Sequence, residues 1–254
     1  MSQLSYSQNF APAIAGDIIY PFAPRTVLTY ANPTETIEWA KGVVVNTSGE
    51  NVTLPATSGD TFAGVALRDT SVEGTNYALN SAVSVMKRGQ IPVVVEQAVT
   101  TASSVYVRYA PRAQVQTLNF SGNFVTGNSI ALTVNGVALT PVPFNTDNAT
   151  TVADLAAAIQ ATAPVATATG TGANQITATA VVDGDEVAFT GFLVTGGASQ
   201  PTVTITETVV HRLTIDRGNF RADADSSTAL LVSGAKYMGD ASAGDLVILD
   251  LNIP

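Results

Sequence analysis

The 254-residue chain is 46% hydrophobic and only 12% charged, carries a net charge of −9 from 20 acids and 11 bases, and contains no cysteine and one histidine. That balance gives a phosphate backbone no counterions to release and an anionic bilayer nothing to attract, so it argues against nucleic-acid and membrane-surface binding. The absent thiols exclude a disulfide framework and thiolate metal sites, while abundant Val, Thr and Gly with 7% aromatics point to a mainly β protein of short strands and tight turns.

The N-terminal text MSQLSYSQNFAPAIAGDIIYPFAPRTVL has no basic region leading into an unbroken apolar run, and no segment offers about 18 continuous apolar residues. The expectation is a soluble chain made without a secretion signal. Residues 1–34 are proline-rich, and proline fixes φ and removes a helix donor, so they read as an extended arm. Its large side chains, Phe10, Ile18, Ile19, Tyr20 and Phe22, need cover. Either a partner surface supplies it or the arm folds back on its own domain.

From residue 35 to 112 the text is strands and turns: GVVVNT, NVTLPATSGDTFAGVAL, SAVSVMKRGQIPVVVE and SSVYVRYA. Alternation shows at Val83, Val85, Ile91, Val93 and Val95, and Lys87-Arg88-Gly89 reads as a hairpin turn between two strands. It is the densest basic spot in the chain, so it reads either as a solvated turn or as a contact for an acidic partner surface.

Residues 113–210 contain no Lys or Arg but six acids, Asp147, Asp154, Asp183, Asp185, Glu186 and Glu207. So abrupt a change in charge style marks an inserted module. Its one helix is expected near residues 150–163, with Thr151 and Asp154 as a capping box, Val152, Leu155, Ala156 and Ile159 as the apolar face, and Pro164 as the stop. The frames NFSGNFVTG (119–127) and AFTGFLVTG (188–196) echo each other, read either as two similar edge hairpins that share turn chemistry or as a chance product of Thr-Gly-rich composition. After residue 210 the earlier style returns and ends in LVILDLNIP, an apolar run suited to the middle of a sheet. Residues 35–112 and 211–254 are therefore expected to form one discontinuous β-barrel or sandwich-like base domain. The insert is expected to be a small β-rich α+β module with one helix.

Chemistry is sparse. His211 is the only histidine and sits in a strand pattern, which reads as structural. There is no nucleophile elbow or phosphate loop, and GTGAN (170–174) is a turn. The pairs Asp183/Asp185 and Asp223/Asp225 lack the cleft partner of a glycosidase and the ligand spacing of a calcium loop. The expectation is no enzyme, no cofactor and no metal.

The segments TFAGVALRD, NSAVSVMKRGQIPVVVEQAV, SSVYVRYA and GNFRADADSSTALLVSGAKYMGDASAGDLVILDLNIP, in this order, resemble the structural cement (capsid decoration) proteins of tailed bacteriophages. The resemblance spans roughly residues 15–112 and 212–254. Phe220, Arg221, Asp223, Asp225, Leu249, Leu251, Ile253 and Pro254 fill positions that recur in that family. It implies a non-enzymatic protein of the outer virion surface, made in the host cytoplasm, which clamps neighbouring major capsid protein subunits. A homo-trimer is the expected assembly, with a dimer as the alternative. The interface residues expected on this reading are Phe10, Ile18, Ile19, Tyr20, Phe22, Arg25, Lys87, Arg88 and Arg221. The insert is a departure from the family pattern. The alternative reading is a virion surface protein whose insert binds host carbohydrate or a receptor.

Overall fold

The valines of residues 83–94 lie on one long strand. A computed structural model describes residues 14–18, 25–32, 34–71, 74–182 and 185–254, and shows a mainly β chain. It divides into unit 1, Met1–Ala110 with Ile215–Pro254, and unit 2, Pro111–Thr214. Unit 1 begins with β1 (Thr26–Asn32), β2 (Ile37–Glu38), β3 (Gly42–Val45), β4 (Val52–Thr53), β5 (Thr61–Ala66), β6 (Asn76–Tyr77), β7 (Ser81–Val94) and β8 (Tyr106–Arg108). Unit 2 holds β9 (Val115–Phe120), β10 (Ser129–Val134), β11 (Val137–Ala138), β12 (Val142–Pro143), α1 (Asn148–Gln160), β13 (Val165–Gly172), β14 (Gln175–Ala180), β15 (Phe189–Thr195) and β16 (Val203–Val209). Unit 1 then resumes with β17 (Phe220–Arg221), β18 (Ala229–Leu231), β19 (Ala235–Tyr237) and β20 (Leu246–Asn252).

Unit 1 is built on β7. Its sheet runs β19-β20-β7-β5-β3-β4, with β1 also paired to β7. Lys87-Arg88-Gly89, expected to be a hairpin turn, is instead the middle of this strand. The reason is tertiary: Arg88 pairs with both Thr26 of β1 and Asn252 of β20, and neighbours on both edges hold the backbone extended. The glycine serves the strand in another way, since Gly89 takes φ +123° where Arg25 passes close by. The terminal strand β20 lies between β19 and β7 and buries Val247, Leu249 and Leu251 on one face. Inside, Met86, Ile91, Val93, Val107, Phe220, Tyr237 and Leu249 form one cluster, and Ile37, Val43, Val52, Tyr77, Val83 and Val85 form a second.

In unit 2 the sheet β13-β14-β9-β16 packs its Leu118, Ile176 and Ala178 with Val152, Leu155, Ala156 and Ile159 of α1. The apolar helix face lies where its spacing predicted, but the cap does not. Asp147 is the N-cap, accepting from the Thr150 N–H at 2.7 Å, and Thr151 lies one turn inside with its hydroxyl donating to the Asp147 carbonyl at 2.8 Å. A capping box at Thr151 and Asp154 would have started the helix four residues too late. The Thr150 bond holds the Asp147 carboxyl below its ordinary 3.8. A pKa lowered by folding means that the folded chain binds this proton less tightly than the unfolded one. The cap's contribution is thus complete above the ordinary value and is lost as pH falls through the lowered one. Asp147→Asn keeps a cap acceptor, so helical content near neutral pH should be unchanged while its acid melting, followed by circular dichroism, becomes less steep.

The two echoing frames are not two hairpins. Residues 119–127 form the end of β9 and a loop, whereas 188–196 lie along β15. Their phenylalanines converge all the same: Phe120 packs edge-on to Phe124 at 5.0 Å between ring centroids and stacks on Phe192 at 5.6 Å. The chain enters and leaves unit 2 side by side, Arg112 and Arg212 exchanging both backbone hydrogen bonds at 2.8 Å. His211 is buried, with Nε2 3.0 Å from the Val182 carbonyl oxygen.

Candidate functional site

Three features of unit 1 bear on function. The first is the segment GNFRADADSS. Arg221, expected at an interface, is 5% exposed and lies in an ion network of its own chain. Its guanidinium meets Glu96, Asp225 at 2.9 Å, Asp223 at 2.7 Å and the Gln97 amide oxygen at 2.8 Å. Arg108, wholly buried, completes the group through Glu96 at 2.6 Å, Asp225 and the Thr228 hydroxyl at 3.0 Å. Tyr237 donates to the Arg221 carbonyl at 2.9 Å, and burial together with the Glu96 charge pushes its phenol well above the ordinary value. Asp223 and Asp225 are thus partners of arginines. The turn they shape runs through left-handed backbone at Asp225, Ser226 and Ser227. Sequence reasoning missed Glu96 and Arg108; the signal was a charge embedded in each of the apolar runs VVVE and YVRYA.

The second feature surrounds Trp39, which sequence reasoning also passed over although it is the only tryptophan. Residues 14–18 of the arm are laid against unit 1: the Gly16 N–H donates to the Pro92 carbonyl at 2.8 Å, and the Gly16 carbonyl accepts from Arg68 N–H at 2.9 Å. The Arg68 guanidinium lies 5.5 Å from the centre of the Trp39 ring and pairs with Asp17 at 3.2 Å. Shallow grooves flank Trp39, one lined by Lys41, Val94 and Ile215, the other by Ile14, Gly74 and Thr75. Ile215 is 71% exposed, and Ile14 and Ile18 are exposed as well. Phe10, Ile19, Tyr20 and Phe22 lie outside the described residues.

The third is the edge strand β1, whose Thr26–Thr29 are exposed. Arg25 precedes it and contacts Gly89, Arg88 is paired beside Thr26, and Lys87 Nζ donates to the Pro254 carbonyl at 2.6 Å. The structure thus brings the backbones of the three expected basic residues, Arg25, Lys87 and Arg88, together near the start of β1, with Lys87 and Arg88 on opposite faces of β7.

The family model described as Structural cement protein (E217 gp24/Pam3 gp6) matches residues 2–158, more than half of the chain. The chain belongs to the phage structural cement proteins. Cement proteins are structural components of the phage capsid, which places this one with the virion and in association with the capsid. The match to the cement family runs through the first part of unit 1 and into unit 2 as far as α1. It therefore reaches residues that the sequence reading assigned to an insert. Among solved structures this cement protein is similar to a chain from "The capsid of Myoviridae Phage XM1", with 12% identity, a TM-score of 0.43 and coverage of 99% of this chain and 97% of that one. It is also similar to a chain from Mycobacterium phage Patience, with 16% identity, a TM-score of 0.40 and coverage of 92% and 94%. No curated protein matches the cement protein chain.

Proposed function

We propose that this cement protein decorates the outer surface of the phage head and clamps neighbouring major capsid protein subunits against internal pressure. It does so as a cyclic homo-oligomer, a trimer in the preferred reading, seated where those subunits meet. The family match carries the reading. The exposed apolar side chains around the arm segment support it, because a clamp needs anchors spread over area and no reactive centre. Each large side chain newly buried would contribute roughly 1.5–3 kcal/mol before ordering entropy is subtracted. Residues 113–210 are read as an inserted module facing solvent, and their lack of Lys and Arg suits a non-adhesive exterior.

The carbohydrate-binding alternative gains no support from the aromatics of this module. Phe120, Phe124 and Phe189 are buried, and Phe144 and Phe192 are packed against the same core.

Heads assembled without the protein should release DNA at lower temperature than intact heads, and added purified protein should restore the difference. Equal heat and dilution resistance of the two kinds of head would remove the stabilising role.

A further inference from the structure

We propose that the outer edge of β16 joins two copies of this chain, the two strands pairing antiparallel about a two-fold axis at Ile205 so that the sheets of two unit 2 modules become one. β16 is the last strand of the sheet β13-β14-β9-β16 and, among the described strands, pairs only with β9. The Ser121 N–H donates to the Thr202 carbonyl at 2.9 Å and the Thr202 N–H to the Ser121 hydroxyl at 2.9 Å, so Thr202 faces β9. Strand alternation gives Thr204 and Thr206 the same side and turns the N–H and C=O groups of Val203, Ile205 and Glu207 to the open one. No backbone partner for those groups occurs among the described residues. Native proteins commonly blunt such an edge with charge, proline, a bulge or cover. The opposite edge of the same sheet is blunted: β13 carries two register shifts, and its Ala168 N–H is taken by the Gln160 side chain of α1 at 3.3 Å. Residues 203–207, VTITE, contain no proline and no base and run in regular register along β9.

The sequence of the strand selects the occupant. Turned end for end about Ile205, VTITE sets Ile205 against Ile205, Thr204 against Thr206 and Val203 against Glu207 of the second copy. Ile205 is half-buried at the rim of the unit 2 core, and its counterpart would carry the apolar side across the join. On the other face Thr206, Thr117, Thr177 and Thr169 already cross the sheet as a row of paired positions. The next member would be Thr204 of the second copy, and Thr–Thr pairs are favourable between strands. Glu207, the one charge of the segment, accepts from the Gln114 side chain at 2.8 Å. In this register the two copies of Glu207 lie at opposite ends of the ladder, so like charges do not meet. The contact is isologous and pairs chains, so it adds to a threefold contact made elsewhere and does not depend on the capsid reading.

The test weighs the purified full chain by equilibrium sedimentation, and an even number of copies is expected. Thr204→Lys with Thr206→Lys changes only exposed side chains and sets like charges opposite each other in both cross-strand pairs, so the mass should halve. Thr204→Lys with Thr206→Glu sets opposite charges at the same places and should keep the full mass. Thr204→Cys with Thr206→Cys, in a chain with no other cysteine, should oxidise to two covalently linked chains. Circular dichroism melting checks that each variant is folded, and were the like-charge variant unfolded, the cross-link would decide. A monomer, an odd-numbered ring, or one unchanged mass for the unaltered chain and both charge variants would overturn the contact. If the like-charge variant keeps its mass but no longer co-sediments with heads assembled without the protein, a capsid segment occupies the edge and the second copy is wrong. If its mass halves while the unaltered chain fails to bind heads, this contact stands and the capsid reading falls.

Discussion

Arg221→Ala is expected to cost unit 1 about 3–5 kcal/mol, the usual consequence of removing one partner from a buried ion network. The loss would arise within the isolated chain. Arg221 is 5% exposed, and without it Glu96 and Asp225 would share the single guanidinium of Arg108 in a buried site. Arg221→Lys should recover little, because Nε, Nη1 and Nη2 together reach acceptors on Asp223, Glu96, Asp225 and Gln97, a spread that one ammonium cannot span. Trp39, the only tryptophan, lies in unit 1, so its fluorescence during urea unfolding reports this unit. An unchanged midpoint together with lost head binding would return Arg221 to the interface role that its family position first gave it.

Phe220→Ala is expected to cost a further large share, about 3–5 kcal/mol for a buried aromatic. The Phe220 ring is fully buried and meets Phe62 edge-on at 6.4 Å between centroids. The space is shaped by a missing side chain: a Cβ on Gly42 would lie 2.5 Å from Val107 Cγ2 and 3.2 Å from Phe220 Cζ. Truncating the ring therefore leaves a cavity between β3, β8 and β17 that the surrounding strands cannot readily close. The same fluorescence measurement checks it, and a midpoint within experimental scatter of the unaltered chain would show that the site collapses freely. Since Phe220 and Arg221 are adjacent, the double variant should fall short of the sum of the two.

GNFRADADSS shows how far one-dimensional reading carries. Its residue types excluded a calcium loop and a carboxylate cleft, and that exclusion needed only ligand counting. The rest of the network could not be read, because Glu96, which pairs with Arg221, and Arg108, which shares Glu96 and Asp225 with it, lie more than 100 residues away in the chain. Lys87-Arg88-Gly89 failed for a related reason. Basic residues before a glycine read as a turn locally, whereas two strands distant in sequence, β1 and β20, keep them extended.

The sequence by itself determined the mainly β character, the apolar face of α1 and the cement-protein family, because composition, helical spacing and co-linear segments are local or order-dependent properties. Only the tertiary structure decided which charges neutralise one another, where the arm segment at Gly16 is tied down, and that Lys87 and Arg88 lie within a long strand beside the start of β1. Strand pairing and buried ion contacts are made between residues far apart in the chain, and their partners are chosen by packing against the whole core.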